Sequence, residues 1–256
     1  MQDQKDVSYT EVIGLRFLDQ PLERVADSLV SDASNGIRRE VIFVNAHCVN
    51  VAARNKSYHS ILHSAPFVYA DGAGIAIAAR IWGAALENNV NGSDLFPILC
   101  ERAALNDVPI ALLGALPGIA DACAENMKNL YPGLRVVWTQ HGYISGEEEE
   151  KLLEDINRSG ARILLIAKGV PMQELWIRKN ASKIDVPVLM GVGALFDFYS
   201  GTMPRSPLFI RKLRMEWFFR FILEPRRVIS KVPYFFCFVE FDDDSQSPLA
   251  CRGCAR

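Results

Sequence analysis

Residues 67–74 read Phe-Val-Tyr-Ala-Asp-Gly-Ala-Gly. An apolar and aromatic run leads directly into Asp71, and glycines follow at positions 72 and 74. This pattern predicts a buried strand that ends at a carboxylate and then turns, because glycine permits tight turns and close approach of a ligand to the backbone. In open parallel sheets, ligands bind just beyond the carboxyl ends of the strands. We interpret Asp71 as a candidate general base, with an Asp that caps the next helix as the alternative.

The same alternation of short apolar runs and helical segments extends along most of the chain. Strands are predicted at residues 14–18, 41–45, 67–70, 109–114, 134–138, 162–167 and 186–191. Helices are predicted at residues 21–31, 50–64, 74–82, 92–105, 119–130, 147–158 and 172–180. Strands that are apolar almost throughout and alternate with helices indicate a parallel sheet covered on both faces. The predicted fold is therefore α/β, a Rossmann-like doubly wound sheet of about six strands within residues 1–202.

Bulk composition excludes several classes of protein. The chain has 256 residues, half of them hydrophobic, and a formal net charge of −2, so it has enough apolar residues for a large core and no overall charge that would indicate a nucleic-acid partner. No secretory signal or membrane-spanning run is visible, which predicts a protein that stays in the cytoplasm. The scattered cysteines indicate reduced thiols rather than a disulfide framework, and the isolated Cys251–Cys254 pair is a weak metal or redox signal.

Composition changes after about residue 202. Residues 204–231 carry eight Lys and Arg residues against two glutamates, interleaved with aromatic and aliphatic side chains. Such a segment is typical of a helix that lies in a membrane interface and attracts anionic lipid. The alternative is a terminal helix that docks on the core with its basic face in solvent. We predict a C-terminal helical appendage at residues 203–240 that contacts the membrane surface, followed by a disordered tail at 241–256.

Two carboxamides join Asp71 at the predicted carboxyl edge of the sheet. Asn45 follows a strand and could hold a sugar hydroxyl, with turn formation as the alternative. Gln173 begins a helix at the same edge and could either contact a polar ligand or lie on the surface. His47 is close to Asn45, but a single histidine is more often structural. No His, Asp or Glu cluster has the spacing of metal ligands, so the sequence does not suggest a metal-dependent mechanism.

Glycines follow two other predicted strands. Gly114 and Gly118 bracket the turn into a helix, while Gly191 ends the last predicted strand and Gly193 follows it. Unpaired N–H groups at such positions could receive phosphate, although a tight strand–helix turn explains the glycines equally well. The full glycine pattern of a dinucleotide site is absent, which argues against an NAD-dependent oxidoreductase, the alternative enzyme class.

Seven short motifs together resemble a known family. In chain order they are Phe43-Val-Asn45-Ala, Tyr69-Ala-Asp71-Gly-Ala-Gly74, Gly92-Ser-Asp-Leu95, Leu113-Gly-Ala-Leu-Pro-Gly118, Gly169-Val-Pro-Met-Gln-Glu174-Leu-Trp176, Gly191-Val-Gly-Ala-Leu-Phe-Asp197, and Met215-Glu-Trp217 with Glu224-Pro-Arg-Arg227. Their order and spacing are similar to those of the WecG/TagA/CpsF family of bacterial glycosyltransferases. The resemblance extends over about residues 14–231.

The resemblance implies an inverting transferase with a Rossmann-like core. Members move a sugar from a UDP-sugar to a polyprenyl-diphosphate-linked sugar at the cytoplasmic membrane face, without a metal or other cofactor. The family's proposed base falls on Asp71, its motif carboxamides on Asn45 and Gln173, and its appendage arginines on Arg220 and Arg227. With no metal, the two arginines are the expected counter-charges for the departing UDP.

Two positions depart from the family pattern and bear on the donor sugar. Phe43 stands where many members have Thr, and Asn89 stands where many have Arg before the Gly-x-Asp-Leu motif. Residues 45–50, Asn-Ala-His-Cys-Val-Asn, resemble the exopolysaccharide members, for which UDP-glucose is the expected donor. The expected donor is therefore a UDP-sugar of the glucose or N-acetylmannosamine type. A non-catalytic scaffold bound to the membrane is a third interpretation of the chain.

Overall fold

The computed structural model describes residues 8–144 and 146–203 of the chain. Its strands are β1 (Tyr9–Val12), β2 (Leu15–Leu18), β3 (Arg39–Val44), β4 (Phe67–Ala70), β5 (Ile110–Gly114), β6 (Val136–Gln140), β7 (Ile163–Ala167) and β8 (Val188–Gly191). Its α-helices are α1 (Leu22–Asn35), α2 (Ala46–Ala52), α3 (Lys56–Ser64), α4 (Ala73–Ile81), α5 (Gly92–Leu105), α6 (Ile119–Leu130), α7 (Glu149–Arg158), α8 (Met172–Asn180) and α9 (Leu195–Tyr199). Within these ranges, no helix has the length and hydropathy needed to cross a membrane.

Six of the strands form one parallel sheet in the order β4-β3-β8-β7-β5-β6. Alternate side chains of its central strands enter different hydrophobic clusters, as a sheet covered on both faces requires. In β7, for example, Ile163 and Leu165 pack with α1, α5, α6 and α9, whereas Leu164 and Ile166 pack with α7 and α8. The predicted doubly wound α/β fold with about six strands is therefore confirmed.

The first two strands stand apart from this sheet. β1 and β2 form an antiparallel hairpin beside β4. Asp19, just after β2, accepts hydrogen bonds from the backbone N–H groups of Glu87 and Asn88 at 2.9 and 2.8 Å. These two hydrogen bonds hold the segment that connects α4 to α5 against the hairpin. The same segment borders the carboxyl end of β4.

Local capping explains why one predicted helix is two helices in the structure. The prediction of one helix over residues 50–64 is wrong, because Asn45 and Asn55 each cap a separate helix by accepting a backbone N–H three residues ahead. Asn91 likewise caps α5, which spans Gly92–Leu105 as predicted. The short elements β1 and α9 were not predicted.

The predicted appendage and tail lie outside the described residues apart from Met203, and their boundaries stay predictions. They include Arg220, Arg227 and the Cys251–Cys254 pair.

Candidate active site at the carboxyl edge of the sheet

The strand order brings the predicted site residues to one edge of the sheet. β4, β3, β8 and β7 are consecutive neighbours, and parallel strands end at the same edge. Asp71 follows β4, Asn45 follows β3, Gly191 ends β8, and Gln173 lies in the first turn of the helix after β7. Four separate parts of the chain thus contribute polar or glycine residues to one place.

Asp71 lies at this edge and is only partly buried. Asn45 Nδ2 donates a hydrogen bond to Asp71 Oδ2 at 3.3 Å, while Asn45 Oδ1 accepts the Cys48 N–H at 3.2 Å. The second bond fixes which end of the carboxamide points towards Asp71. Asn45 therefore both caps α2 and orients the carboxylate, so the turn-forming and site-forming interpretations of this residue are compatible.

Gly72, not Asp71, occupies the N-cap position of the helix that follows β4. Glycine has no side chain with which to cap α4. Gly72 has φ of +88°, a conformation that favours glycine, and its N–H donates to Asn89 Oδ1 at 2.6 Å. Asn89 thus holds the turn that follows Asp71, a role that only the folded arrangement reveals. Asp71 therefore does not occupy the N-cap position of α4.

Gln173 is buried and held at both ends of its carboxamide. Its Oε1 accepts the Gly193 N–H at 2.9 Å, and its Nε2 donates to Glu174 Oε1 at 2.8 Å. A Cβ atom at Gly191 would lie 2.8 Å from Gln173 Nε2 and 3.1 Å from its Cδ. Glycine at position 191 is therefore needed for the Gln173 side chain to pack against the end of β8.

A cavity of about 120 Å³ brings these residues together. Asn45, Asp71, Gln173, Gly191 and Gly193 all line it. Further lining residues are Phe43, Cys48, Asn91, Gly92, Ser93, Val170, Val192, Ala194 and Leu195. All three predicted catalytic residues, and two of the three predicted diphosphate-binding glycines, therefore lie at a single site.

Gly114, the third predicted diphosphate-binding glycine, lies outside this cavity lining. It ends β5, and a Cβ atom there would come within 2.3 Å of the Ala167 backbone oxygen. Close packing between neighbouring strands therefore accounts for the glycine. Its contact with diphosphate stays a prediction, and Gly114 does not line the cavity described above.

A buried polar cluster borders the cavity, and no pattern in the sequence predicts it. Glu174 is only 1% exposed, and burial raises its pKa to about 7. Burial also raises the pKa of the Cys48 thiol to about 12 and raises the pKa of the Tyr58 hydroxyl. Acids in the first turn of a helix are usually solvated, so only packing of α8 against its neighbours identifies Glu174 as buried.

The described residues contain no group of three His, Cys, Asp or Glu side chains placed to hold a metal ion. Cys48, Cys100 and Cys123 are buried free thiols, which agrees with the predicted reduced state of these three cysteines. Cys237 and the Cys251–Cys254 pair lie outside the part of the chain that the structure describes.

The fold and this site define an enzyme of the doubly wound α/β class, with a carboxylate and two oriented carboxamides at the carboxyl edge of its sheet. The sequence profile of the "Glycosyl transferase WecG/TagA/CpsF family" matches residues 10–241. The chain therefore belongs to this family of glycosyltransferases, and the resemblance found from its motifs is confirmed.

Curated relatives in Staphylococcus aureus strains NCTC 8325 / PS 47 and COL are each 24% identical to the chain over 241 residues. The alignments cover 92% of this chain and 93% of each relative. Both relatives carry the name N-acetylglucosaminyldiphosphoundecaprenol N-acetyl-beta-D-mannosaminyltransferase.

Proposed function

We propose that this glycosyltransferase moves a sugar from a UDP-sugar to a polyprenyl-diphosphate-linked sugar, with inversion at the anomeric carbon. The observation that carries the proposal is the Asp71 carboxylate, which Asn45 orients at the edge of a cavity shared with Gln173. The name of the relatives describes transfer of N-acetylmannosamine to a lipid diphosphate that carries N-acetylglucosamine, and this supports an acceptor of that class. The product would enter bacterial exopolysaccharide or cell-wall polymer synthesis.

In this proposal Asp71 is the general base. The acceptor hydroxyl loses its proton to the carboxylate as its oxygen attacks the anomeric carbon, from the face opposite the departing UDP. The new C–O bond forms as the bond between the sugar and the UDP oxygen breaks, and the electron pair leaves with UDP. The hydrogen bond from Asn45 supports this role because it holds the carboxylate in one orientation.

The departing UDP needs positive charge near its diphosphate. Arg220 and Arg227, which lie outside the described residues, supply it in this proposal without a metal. The cavity of about 120 Å³ is smaller than the roughly 300–1,000 Å³ typical of small-molecule sites, which supports a further segment that completes it. A basic, apolar appendage at residues 203–240 would also keep the enzyme at the inner membrane face, near its lipid-linked acceptor.

A donor screen tests the proposed function. The full chain is incubated with UDP-glucose, UDP-N-acetylglucosamine or UDP-N-acetylmannosamine, with and without polyprenyl-diphosphate-N-acetylglucosamine, and UDP release is measured. We expect one donor to give UDP release that depends on the acceptor. Parallel titrations should show binding of UDP and no binding of NADH. Binding of NADH without acceptor-dependent UDP release would favour the oxidoreductase alternative.

Arg227→Ala is expected to lower the transfer rate about 10- to 100-fold, because a charge-assisted hydrogen bond to the leaving diphosphate is lost. The thermal unfolding midpoint should stay close to that of the unchanged protein. Arg211→Ala is the matched control, since Arg211 lies in the same basic segment but outside the Glu224-Pro-Arg-Arg227 motif. Equal rates for the two variants would argue against Arg227 as the counter-charge.

A further inference from the structure

Glu174 is a buried acid that has no part in the mechanism above. It is 1% exposed, and Gln173 beside it is 2% exposed. One of its carboxyl oxygens, Oε1, accepts the hydrogen bond from Gln173 Nε2, while the other has no hydrogen-bond partner among the described residues. Burying a carboxyl group with an unpartnered oxygen destabilises a fold, and an apolar side chain of similar size would avoid that cost. The acid therefore calls for an explanation other than packing.

The two hydrogen bonds of Gln173 specify the orientation of its carboxamide. Gly193 N–H requires an acceptor, so Gln173 Oε1 must face it, and Nε2 must then face Glu174. A carboxamide rotated by half a turn would set its NH₂ group against the Gly193 N–H. The absence of a Cβ at Gly191 leaves just enough room for the observed arrangement. Glu174 is thus the acceptor that completes a fixed geometry.

Two further buried side chains lie close to Glu174 in the described structure. The Glu174 carboxyl group acts electrostatically on Cys48 and Tyr58, from α2 and α3, and raises the pKa of both buried groups. Cys48 also donates its backbone N–H to Asn45, the residue that orients Asp71. The buried cluster therefore makes a hydrogen bond to each carboxamide of the cavity, from Cys48 to Asn45 and from Gln173 to Glu174, its acidic member.

We propose that Glu174 is a positioning residue for sugar transfer, which acts by fixing the Gln173 carboxamide in the orientation that it presents to the cavity. Glu174 itself does not touch the substrate. The inference rests on the proposed function, because it assumes that Gln173 contacts the donor or acceptor sugar. The role of Glu174 depends on one hydrogen bond, the 2.8 Å bond that its Oε1 accepts from Gln173 Nε2.

Substitutions of two kinds test this role through the kinetics of transfer. Glu174→Leu removes the acceptor at similar volume and is expected to lower kcat/KM about 10- to 100-fold. Glu174→Gln keeps a carbonyl oxygen in the same place and should retain kcat/KM within about threefold. The double variant Gln173→Ala/Glu174→Leu should be no slower than Gln173→Ala alone, because Glu174 acts only through Gln173. If Glu174→Leu lowered kcat/KM as much in the Gln173→Ala background as in the unchanged protein, the proposal would be overturned.

A second readout does not depend on transfer. The side-chain NH₂ resonances of Gln173 in a ¹H–¹⁵N spectrum are identified by their loss in Gln173→Ala. They should move in Glu174→Leu and stay in place in Glu174→Gln, and Glu174→Met provides a second apolar variant if Glu174→Leu does not fold. If the Gln173 NH₂ resonances did not move in a folded apolar variant, the role of Glu174 would be overturned, while the proposed function would stand. A wild-type rate for Gln173→Ala would instead remove Gln173 from the proposed transfer site, and with it the basis of the inference.

Discussion

Asp71→Asn is expected to fold normally and to lower kcat at least about 10²-fold, within the range that general-base catalysis supplies. Asn has the same shape, and its amide oxygen can still accept the hydrogen bond from Asn45 Nδ2. The backbone bond from position 71 to the Val44 carbonyl oxygen, 2.8 Å long, involves no side chain and should persist. An amide cannot take up the proton of an attacking hydroxyl, so only the chemical step should suffer.

Three measurements on the Asp71→Asn variant separate chemistry from folding and binding. These are kcat for acceptor-dependent UDP release, the midpoint of thermal unfolding, and the affinity for UDP; only kcat should change. Asp27→Asn makes the same chemical change on α1, at an exposed residue that pairs with Arg102, and should leave all three values nearly unchanged. A kcat of the Asp71 variant close to that of the unchanged protein would exclude Asp71 as the base.

Gly191→Ala is expected to affect both transfer and stability. Its new methyl group would lie 2.8 Å from Gln173 Nε2, 3.1 Å from Cδ and 3.2 Å from Cγ. β8 lies between β3 and β7, so its backbone has little freedom to move, and the Gln173 side chain must give way. We expect kcat/KM to fall about 10²-fold, as a displaced site group typically causes. The free energy of unfolding should fall by about 1–3 kcal/mol through overpacking.

A double-mutant comparison assigns the effect of Gly191→Ala to Gln173. Truncation of that side chain in Gln173→Ala removes the atoms that the new methyl group meets, so Gly191→Ala should cost little further activity in that background. Gly146→Ala is the control, because a Cβ atom at Gly146 would meet nothing within 4 Å. Wild-type transfer by Gly191→Ala would show that the observed position of Gln173 is not needed.

The sequence predicts those parts of the fold that depend on local pattern. The run at residues 67–70, followed by Asp71, correctly identified both a strand and the edge at which its carboxylate lies. The break within residues 50–64 was missed because Asn55 reads as an ordinary polar residue until its side chain caps α3. Helical periodicity on either side of such a cap is the same as that of one continuous helix.

Long-range contacts account for what the sequence could not show at the site. Gln173 and Gly191 belong to different elements of the chain. Their contact depends on the pairing of β7 with β8, which the sequence does not show. The burial of Glu174 follows from the same packing. Gly114 shows why a glycine after a strand is an ambiguous signal, since its close packing against Ala167 accounts for the glycine, and its contact with diphosphate stays a prediction.

A crystal structure of the Asp71→Asn variant with a UDP-sugar and a soluble diphosphate-linked acceptor sugar tests the central claim most directly. We predict that the attacking hydroxyl oxygen lies about 2.6–3.2 Å from the side chain at position 71 and faces the anomeric carbon opposite UDP. An acceptor bound away from this edge of the sheet, or an attacking hydroxyl that meets a different acidic or basic side chain, would contradict the account.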